Sequence, residues 1–414
     1  MKRKLGRASL VLILSFITTV AATSAAAQTF KLIHVFKGGK DGIEPNAGLL
    51  LAPDGIYGNT FEGGGTDSDI GTIFKVAKTG KYSVLYRFPG CCDVYPSGAD
   101  PEATLIRDAA GNLYGTTFLG GANKYGAIFK LDPTGQETVL HNFVDADGNG
   151  PRGPMVMDAA GNLYGTAESG GDLPDCSEIG CGTIFKLDPA GNLTVLYSFS
   201  GGSDGALPVG NIVLDSQGNL YGIASQGGST DCVGGGCGTL YKLDTSGTLT
   251  ILHVFHSEDL IGCFPFGGLI SDRTGNLYGT TNACGPGNNG TVFKLAPNGQ
   301  IKALYTFKGG TDGSGSAAPL LQDAAGNLYG TTEFGGDLSC TLLGFQIGCG
   351  TVFKLDRTGN ETVLYRFEGM QDGGFPQAGL VMDAAGRLYG TASEAGDFTC
   401  EEFVGCGVVF EVTP

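Results

Sequence analysis

The sequence predicts an all-β chain: a seven-bladed β-propeller of four-stranded blades, closed by the N-terminal strand pairing with the last blade. Three observations carry this. The phrase Gly111-Asn112-Leu113-Tyr114-Gly115-Thr116-Thr117 returns at Gly161–Ala167, Gly218–Ala224, Gly275–Thr281, Gly326–Thr332 and Gly386–Ala392, and in worn form at Asp54–Thr60. Its tyrosines (Tyr57, Tyr114, Tyr164, Tyr221, Tyr278, Tyr329 and Tyr389) recur at intervals of roughly 50 to 60 residues, a blade-sized period. Finally, the repeat is out of phase with the chain. The chain after residue 27 opens on a fourth-type strand, Phe30–Phe36, and closes on a third-type strand, Gly407–Val412. Pairing the two would complete the last blade and remove two unpaired edges.

Residues 1–27 read as a cleaved signal peptide. Lys2, Arg3, Lys4 and Arg7 precede the apolar stretch Ala8–Ala22, and Ala25-Ala26-Ala27 offers a cleavage site before Gln28. The stretch is short for a membrane span, which needs about 20 apolar residues. No Cys follows it to take a lipid, and no second long apolar run appears. Residues 28–414 are therefore expected to form one propeller domain, soluble and extracytoplasmic (secreted or periplasmic), without a membrane span and monomeric. The formal net charge is −16, and becomes about −20 without the signal-segment cations. Such acidity opposes nucleic acid and anionic membranes and favours cations or basic surfaces.

The unit Met157–Phe199 shows how each blade is built. Pro154–Met157 is a short first strand, and Asp158–Asn162 is a tight turn with Gly161 available for positive φ. Leu163–Ala167 is the second strand, followed by a long loop. Gly182–Leu187 is the third, Asp188–Asn192 a second tight turn, and Leu193–Phe199 the fourth. β-Branched and aromatic residues between turn clusters specify strands, and no window beyond the signal segment has helical periodicity. Short turns alternate with long connections, so all the long loops share one face of the propeller. The mid-strand Tyr and Phe are expected to form the core between blades. Lys75, Lys130, Lys186, Lys294 and Lys354 are expected to snorkel at blade edges. The absence of Trp weakens any sugar-stacking platform.

Twelve cysteines in an exported chain point to disulfides. Cys176/Cys181, Cys232/Cys237, Cys340/Cys349 and Cys400/Cys406 pair closely at one place in the repeat, and Cys263/Cys284 make a fifth pair. Zinc is the competing reading, and export argues against it. Adjacent Cys91 and Cys92 fit either a vicinal bridge or free thiols.

The motifs Gly-Asn-Leu-Tyr-Gly-Thr-Thr and Gly-Thr-[Ile/Val]-Phe-Lys-Leu, as in Gly326–Thr332 and Gly350–Leu355, resemble the GloVer-type, or choice-of-anchor, tandem-repeat family across the whole mature chain. The resemblance implies an extracytoplasmic repeat protein and names no activity. The chain departs from the anchored members, since no sorting segment follows Pro414.

Candidate functional residues lie on the long loops. The connections after the fourth strands carry a Gly-Gly-x-Asp-Gly pattern that presents Asp41, Asp204, Asp312 and Asp372, with Asp147 in the corresponding loop of another blade. Such a ring could bind a cationic ligand or Ca²⁺; the plainer reading is that each Asp caps its own turn. Asp145-Ala146-Asp147-Gly148-Asn149-Gly150 matches the first half of a calcium loop, with Asp145, Asp147 and Asn149 as ligands, but Val156 stands where the bidentate Glu belongs. Calcium is the one cofactor suggested. His34, His141 and His253 occupy a fourth-strand position where other blades have Tyr, and read as structural; His256 stands alone in a loop. No nucleophile elbow, phosphate-cradling loop or dinucleotide fingerprint is present. The expected function is an exported, non-enzymatic binding or scaffold propeller presenting an acidic, disulfide-stiffened loop face to a protein, glycan or cation. The alternative is a propeller enzyme of lactonase or polysaccharide-degrading type. It would depend on loop carboxylates, because Leu49–Leu51, Met155–Met157 and Ile212–Leu214 offer the channel no polar groups.

Overall fold

The computed structural model describes residues 28–65, 70–89, 96–171, 176, 179–232, 234–341, 346–398, 400 and 405–414. Residues 1–27, expected to be a signal peptide, and Cys91 and Cys92 lie outside the described residues. The chain forms seven four-stranded antiparallel sheets. Blade 1 comprises Leu50–Ala52, Gly55–Thr60, Thr72–Ala77 and Tyr82–Arg87. Blades 2 to 6 repeat that order from Ile106–Arg107, Val156–Met157, Ala206–Leu214, Ile270–Ser271 and Leu321–Gln322. Blade 7 takes Val381–Met382, Leu388–Ala392 and Val408–Thr413 from the C-terminus and Thr29–Val35 from the N-terminus. Thr29 lies opposite Thr413 and Val35 opposite Val408, so the predicted closure is present. First strands are mostly shorter than the sequence suggests: in blade 3 the ladder holds Val156 and Met157, and Pro154, with no N–H to donate, lies outside it.

The repeated phrase is a closed polar network set over an aromatic core. In blade 6, Asp323 accepts hydrogen bonds from the Asn327 N–H at 2.8 Å, Asn327 Nδ2 at 2.7 Å and the Tyr329 hydroxyl at 3.1 Å. The Tyr–Asp bond occurs in all seven blades at 2.7–3.3 Å. The glycine after the tyrosine makes room for the third strand: a Cβ on Gly165 would meet the Phe185 ring at 2.6 Å. Lys75, Lys186, Lys294 and Lys354 extend over the same tyrosine rings at 5.0–5.8 Å. Each blade's fourth strand is followed by a phenylalanine that meets the next blade's third-strand aromatic edge to face. Phe36–Phe74 and Phe367–Phe410 carry this ring of contacts across the closure, with centroids 5.3 and 5.1 Å apart.

A second device, invisible in the sequence, stitches blades together near the axis. Glu44, Asp100, Leu207, Phe264 and Phe375 all adopt left-handed backbone, φ 52–59°, at one position of the repeat, and Gly150 and Gly315 take it in the other blades. Bulky residues resist this conformation. It is held because each N–H donates to a carbonyl of the preceding blade, as from Asp100 to Ile70 at 3.1 Å and from Phe375 to Cys349 at 2.9 Å. Among the described residues no helix is long and apolar enough to cross a membrane.

Candidate functional site

The left-handed residues aim the segment that follows them at the propeller axis. There, on the long-loop face, Asn46, Glu102, Arg152, Asn211, Phe266 and Gln377 line a cavity of about 270 Å³ to which every blade contributes. Arg152 pairs with Glu102 and, at 3.5 Å, with Glu168, and its guanidinium lies 4.6 Å from the Phe118 ring centre. Gln377 donates to Glu333 at 2.9 Å. Two buried acceptors in the lining, Asn46 Oδ1 and Asn211 Oδ1, have no hydrogen-bond partner, although Asn211 Nδ2 is spent on the Leu269 carbonyl at 2.8 Å. Phe266 supplies an apolar wall that is 39% exposed.

Glu102 is in the cavity lining, while Asp100, Glu333 and Glu394 lie outside it, Asp100 close to Glu102 and Glu333 bonded to Gln377. Burial, with Glu102 and Glu62 nearby, pushes Asp100 up to about 7; burial, with Glu44 and Glu333 nearby, pushes Glu394 up to about 7. Burial also raises Glu102, against the opposing pull of Arg152, and raises Glu333 against its bond from Gln377. Asp100, Glu102, Arg152 and Gln377 were not singled out from sequence, since attention fell on the first strands themselves. The signal lies just upstream, where Pro45-Asn46-Ala47, Pro101-Glu102-Ala103, Pro151-Arg152-Gly153 and Pro376-Gln377-Ala378 vary at one position in a fixed frame.

The five loop aspartates lie elsewhere: none lines the axial cavity. Each is bound by its own loop and outermost strand. Asp41 and Asp147 meet His34 and His141 at 3.1 and 2.9 Å, while Asp204, Asp312 and Asp372 accept from Tyr197, Tyr305 and Tyr365 at 2.7–3.0 Å. All five also accept a backbone N–H of the same loop. This is the capping geometry of the plainer reading, extended to the His or Tyr that alternate at one strand position. In the Asp145-Asp147-Asn149 motif, Asp147 is tied to its own strand and loop. Both Asp147 oxygens are engaged, and no described cluster of three carboxylate, imidazole or thiolate ligands includes Asp145 or Asp147. His256 is not alone: its Nδ1 lies 2.6 Å from Asp231 Oδ2.

The family model of the Gloeobacter/Verrucomicrobia repeat matches residues 18–235 and again 180–404, spanning the blades just described. The chain belongs to that family. Its repeat phrase is thus the family's, and the resemblance seen in Gly326–Thr332 and Gly350–Leu355 holds. Among solved structures, this Gloeobacter/Verrucomicrobia repeat protein resembles the extracellular domain of a candidate one-component system, BT4673, from B. thetaiotaomicron: TM-score 0.54, 10% identity, 92% of this chain and 39% of that one. It also resembles a candidate 6-phosphogluconolactonase from Bacteroides uniformis: TM-score 0.50, 16% identity, 84% and 96%. The gluconolactonase XC5397 from Xanthomonas campestris aligns at TM-score 0.40, 15% identity, over 73% and 82%. At these identities the likeness is one of fold. No curated protein matches the sequence.

All five expected disulfides of this repeat protein are formed, with Cα–Cα separations of 5.1–5.8 Å, and all lie in long-face connections. Cys181, Cys237, Cys263, Cys349 and Cys406 are buried at the roots of the loops. The Cys232, Cys263 and Cys284 sulfurs lie within 4.8 Å of one another, so two disulfides abut between blades 4 and 5.

Proposed function

We propose that this chain is an exported binding propeller that takes a small, positively charged, hydrogen-bond-donating ligand at the long-loop mouth of its axial cavity. The observation that carries the reading is the donor deficit there. Asn46 and Asn211 line the cavity and their Oδ1 atoms are buried without a hydrogen-bond partner, and Asp100 and Glu394, beside the lining, are held near 7 by burial and like charge. A buried acceptor without a donor costs about 1–3 kcal/mol, and an entering ammonium or amino group would relieve that cost once the Asn side chain turns its oxygen into the cavity. The same group stabilises the ionised carboxylates, so binding expels protons near neutral pH.

An organic cation suits the site better than a bare metal. Calcium needs 6–8 oxygens at about 2.3–2.6 Å, whereas among the described residues no three carboxylates approach within 4.8 Å. The ligand's body would rest against Phe266. Arg152 offsets part of the charge of Glu102 and Glu168, leaving Asp100 and Glu394 as the responsive groups. On this reading Asp41, Asp147, Asp204, Asp312 and Asp372 frame the loops, and the disulfides hold the mouth open with little entropy left to lose on binding.

A thermal-shift and calorimetric screen of diamines, amino sugars and guanidino compounds at pH 8 and low salt tests this. At least one class should raise the melting temperature of the wild type and lose affinity in Asp100→Asn/Glu394→Gln. No binding by any class would overturn the proposal. Turnover of a lactone, lost in the same double variant, would favour the enzymatic alternative.

A further inference from the structure

The seven repeats serve as internal references for one another, and at one seam on the short-turn face they depart from the pattern four times with the same sign. Between blades 5 and 6 an open groove of about 880 Å³ has Leu304, Leu320, Leu321 and Leu328 in its lining. Arg273, Lys294, Lys302 and Arg357 also line it, and among the described residues none of the four is in an ion pair. Lys294 belongs to the repeat; the other three do not. Arg273 stands where other turns carry Ala109, Ala159, Ser216, Ala324 and Ala384, and Arg357 where blades 2 to 5 carry Pro133, Pro189, Thr245 and Pro297 and blade 1 carries Lys78. Ala296, like Ala77 of blade 1, replaces the turn carboxylate that Asp132, Asp188, Asp244 and Asp356 supply in the other blades.

Lys302 is the most telling. It sits directly across the ladder from Lys294, whereas the equivalent lysines face Thr138, Thr194, Thr250, Thr362 or Ser83. Like charges directly opposite on a sheet are destabilising, so blade 5 accepts a repulsion its neighbours avoid. The seam between blades 1 and 2 behaves differently: its cations, Lys75 and Arg107, both pair with Asp54, at 2.6 and 2.9 Å. The groove's three carboxylates, Asp272, Asp323 and Asp356, leave its four cations in formal excess by one and form no ion pair with them among the described residues. Asp272, Asp323 and Asp356 are each occupied by N–H donors of their own turns.

We infer that this groove is a second ligand site, specific for a small multivalent organic anion. Its apolar lining would contact the ligand's carbon skeleton while the four cations meet its carboxylate, phosphate or sulfate groups. The volume is within the range of small-molecule sites, about 300–1,000 Å³. The site lies on the face opposite the axial mouth and does not depend on the function proposed there.

The test restores the repeat: Arg273→Ala, Ala296→Asp, Lys302→Thr and Arg357→Pro together, each a residue that equivalent turns or strands already carry. Calorimetry at low salt would use citrate, inositol hexakisphosphate and sucrose octasulfate, separating carboxylate, phosphate and sulfate sources. At least one should bind the wild type, weaken with added salt, and lose about tenfold or more in affinity in the restored variant. The restored variant should melt at the same temperature or higher, showing that the loss is not one of fold. The inference fails if no probe binds the wild type, or if the restored variant binds equally well. A single variant, Lys302→Thr, guards against misfolding of the quadruple one and should lose part of the affinity.

Discussion

On the short-turn face, Asp108, Asp158, Asp215, Asp323 and Asp383 sit below the usual carboxylate range. Burial alone would raise them, and donors from their own turn, led by Asn112, Asn162, Asn219, Asn327 and Arg387, more than offset it. At the long-loop mouth, Asp100 and Glu394 go the other way, up to about 7, because burial is joined by neighbouring carboxylates. One scaffold thus places the same side chain in two opposite environments. Where a carboxylate has its own donors, it builds the fold. Where burial and neighbouring carboxylates outweigh the donors, the fold bears a cost that a ligand can relieve.

The largest way to probe this contrast is reduction. The five disulfides all brace the long-loop face, and each short closed loop is worth about 2–3 kcal/mol in the chain-entropy picture. Reduction should speed amide exchange first in the long loops and leave the Asp–Asn–Tyr turns protected; uniform loss of protection would break the contrast. Next in size, Asp323→Ala strands the Asn327 and Tyr329 donors and should cost about 2–3 kcal/mol in denaturant unfolding. Glu394→Gln, in the same assay at pH 8, should leave stability unchanged or raised. Equal losses in both variants would erase the distinction.

A smaller effect is expected from pH. The folded-state values of Asp100 and Glu394, about 7, lie above the unfolded range near 4. Between those limits the folded state holds more protons, so stability is greatest at the acid end of the window and falls as pH rises through about 7. Asp100→Asn/Glu394→Gln should flatten the melting-temperature profile between about pH 5 and 8. An unchanged slope would mean the two groups titrate normally.

The fold was legible because repetition multiplies weak local signals: the third strand Thr183–Leu187 differs from its expected span by one residue, and closure followed from the phase of the strands. The mouth was not legible, for physical reasons. Arg152 and Glu102 belong to successive blades, and only closure of the ring sets Gln377 and Asn46 side by side. The left-handed backbone at Asp100 and Phe375 depends on carbonyls of the preceding blade, which no local propensity encodes. The loop aspartates, by contrast, drew attention because they repeat, and each accepts a backbone N–H of its own loop.

The most direct test is proton counting. Calorimetry of the best-binding amine at pH 7, in two buffers of different ionisation enthalpy, should show protons released on binding, with the release abolished in Asp100→Asn/Glu394→Gln. Binding without proton exchange, or release unaffected by those substitutions, would contradict the assignment of the axial mouth as the ligand site.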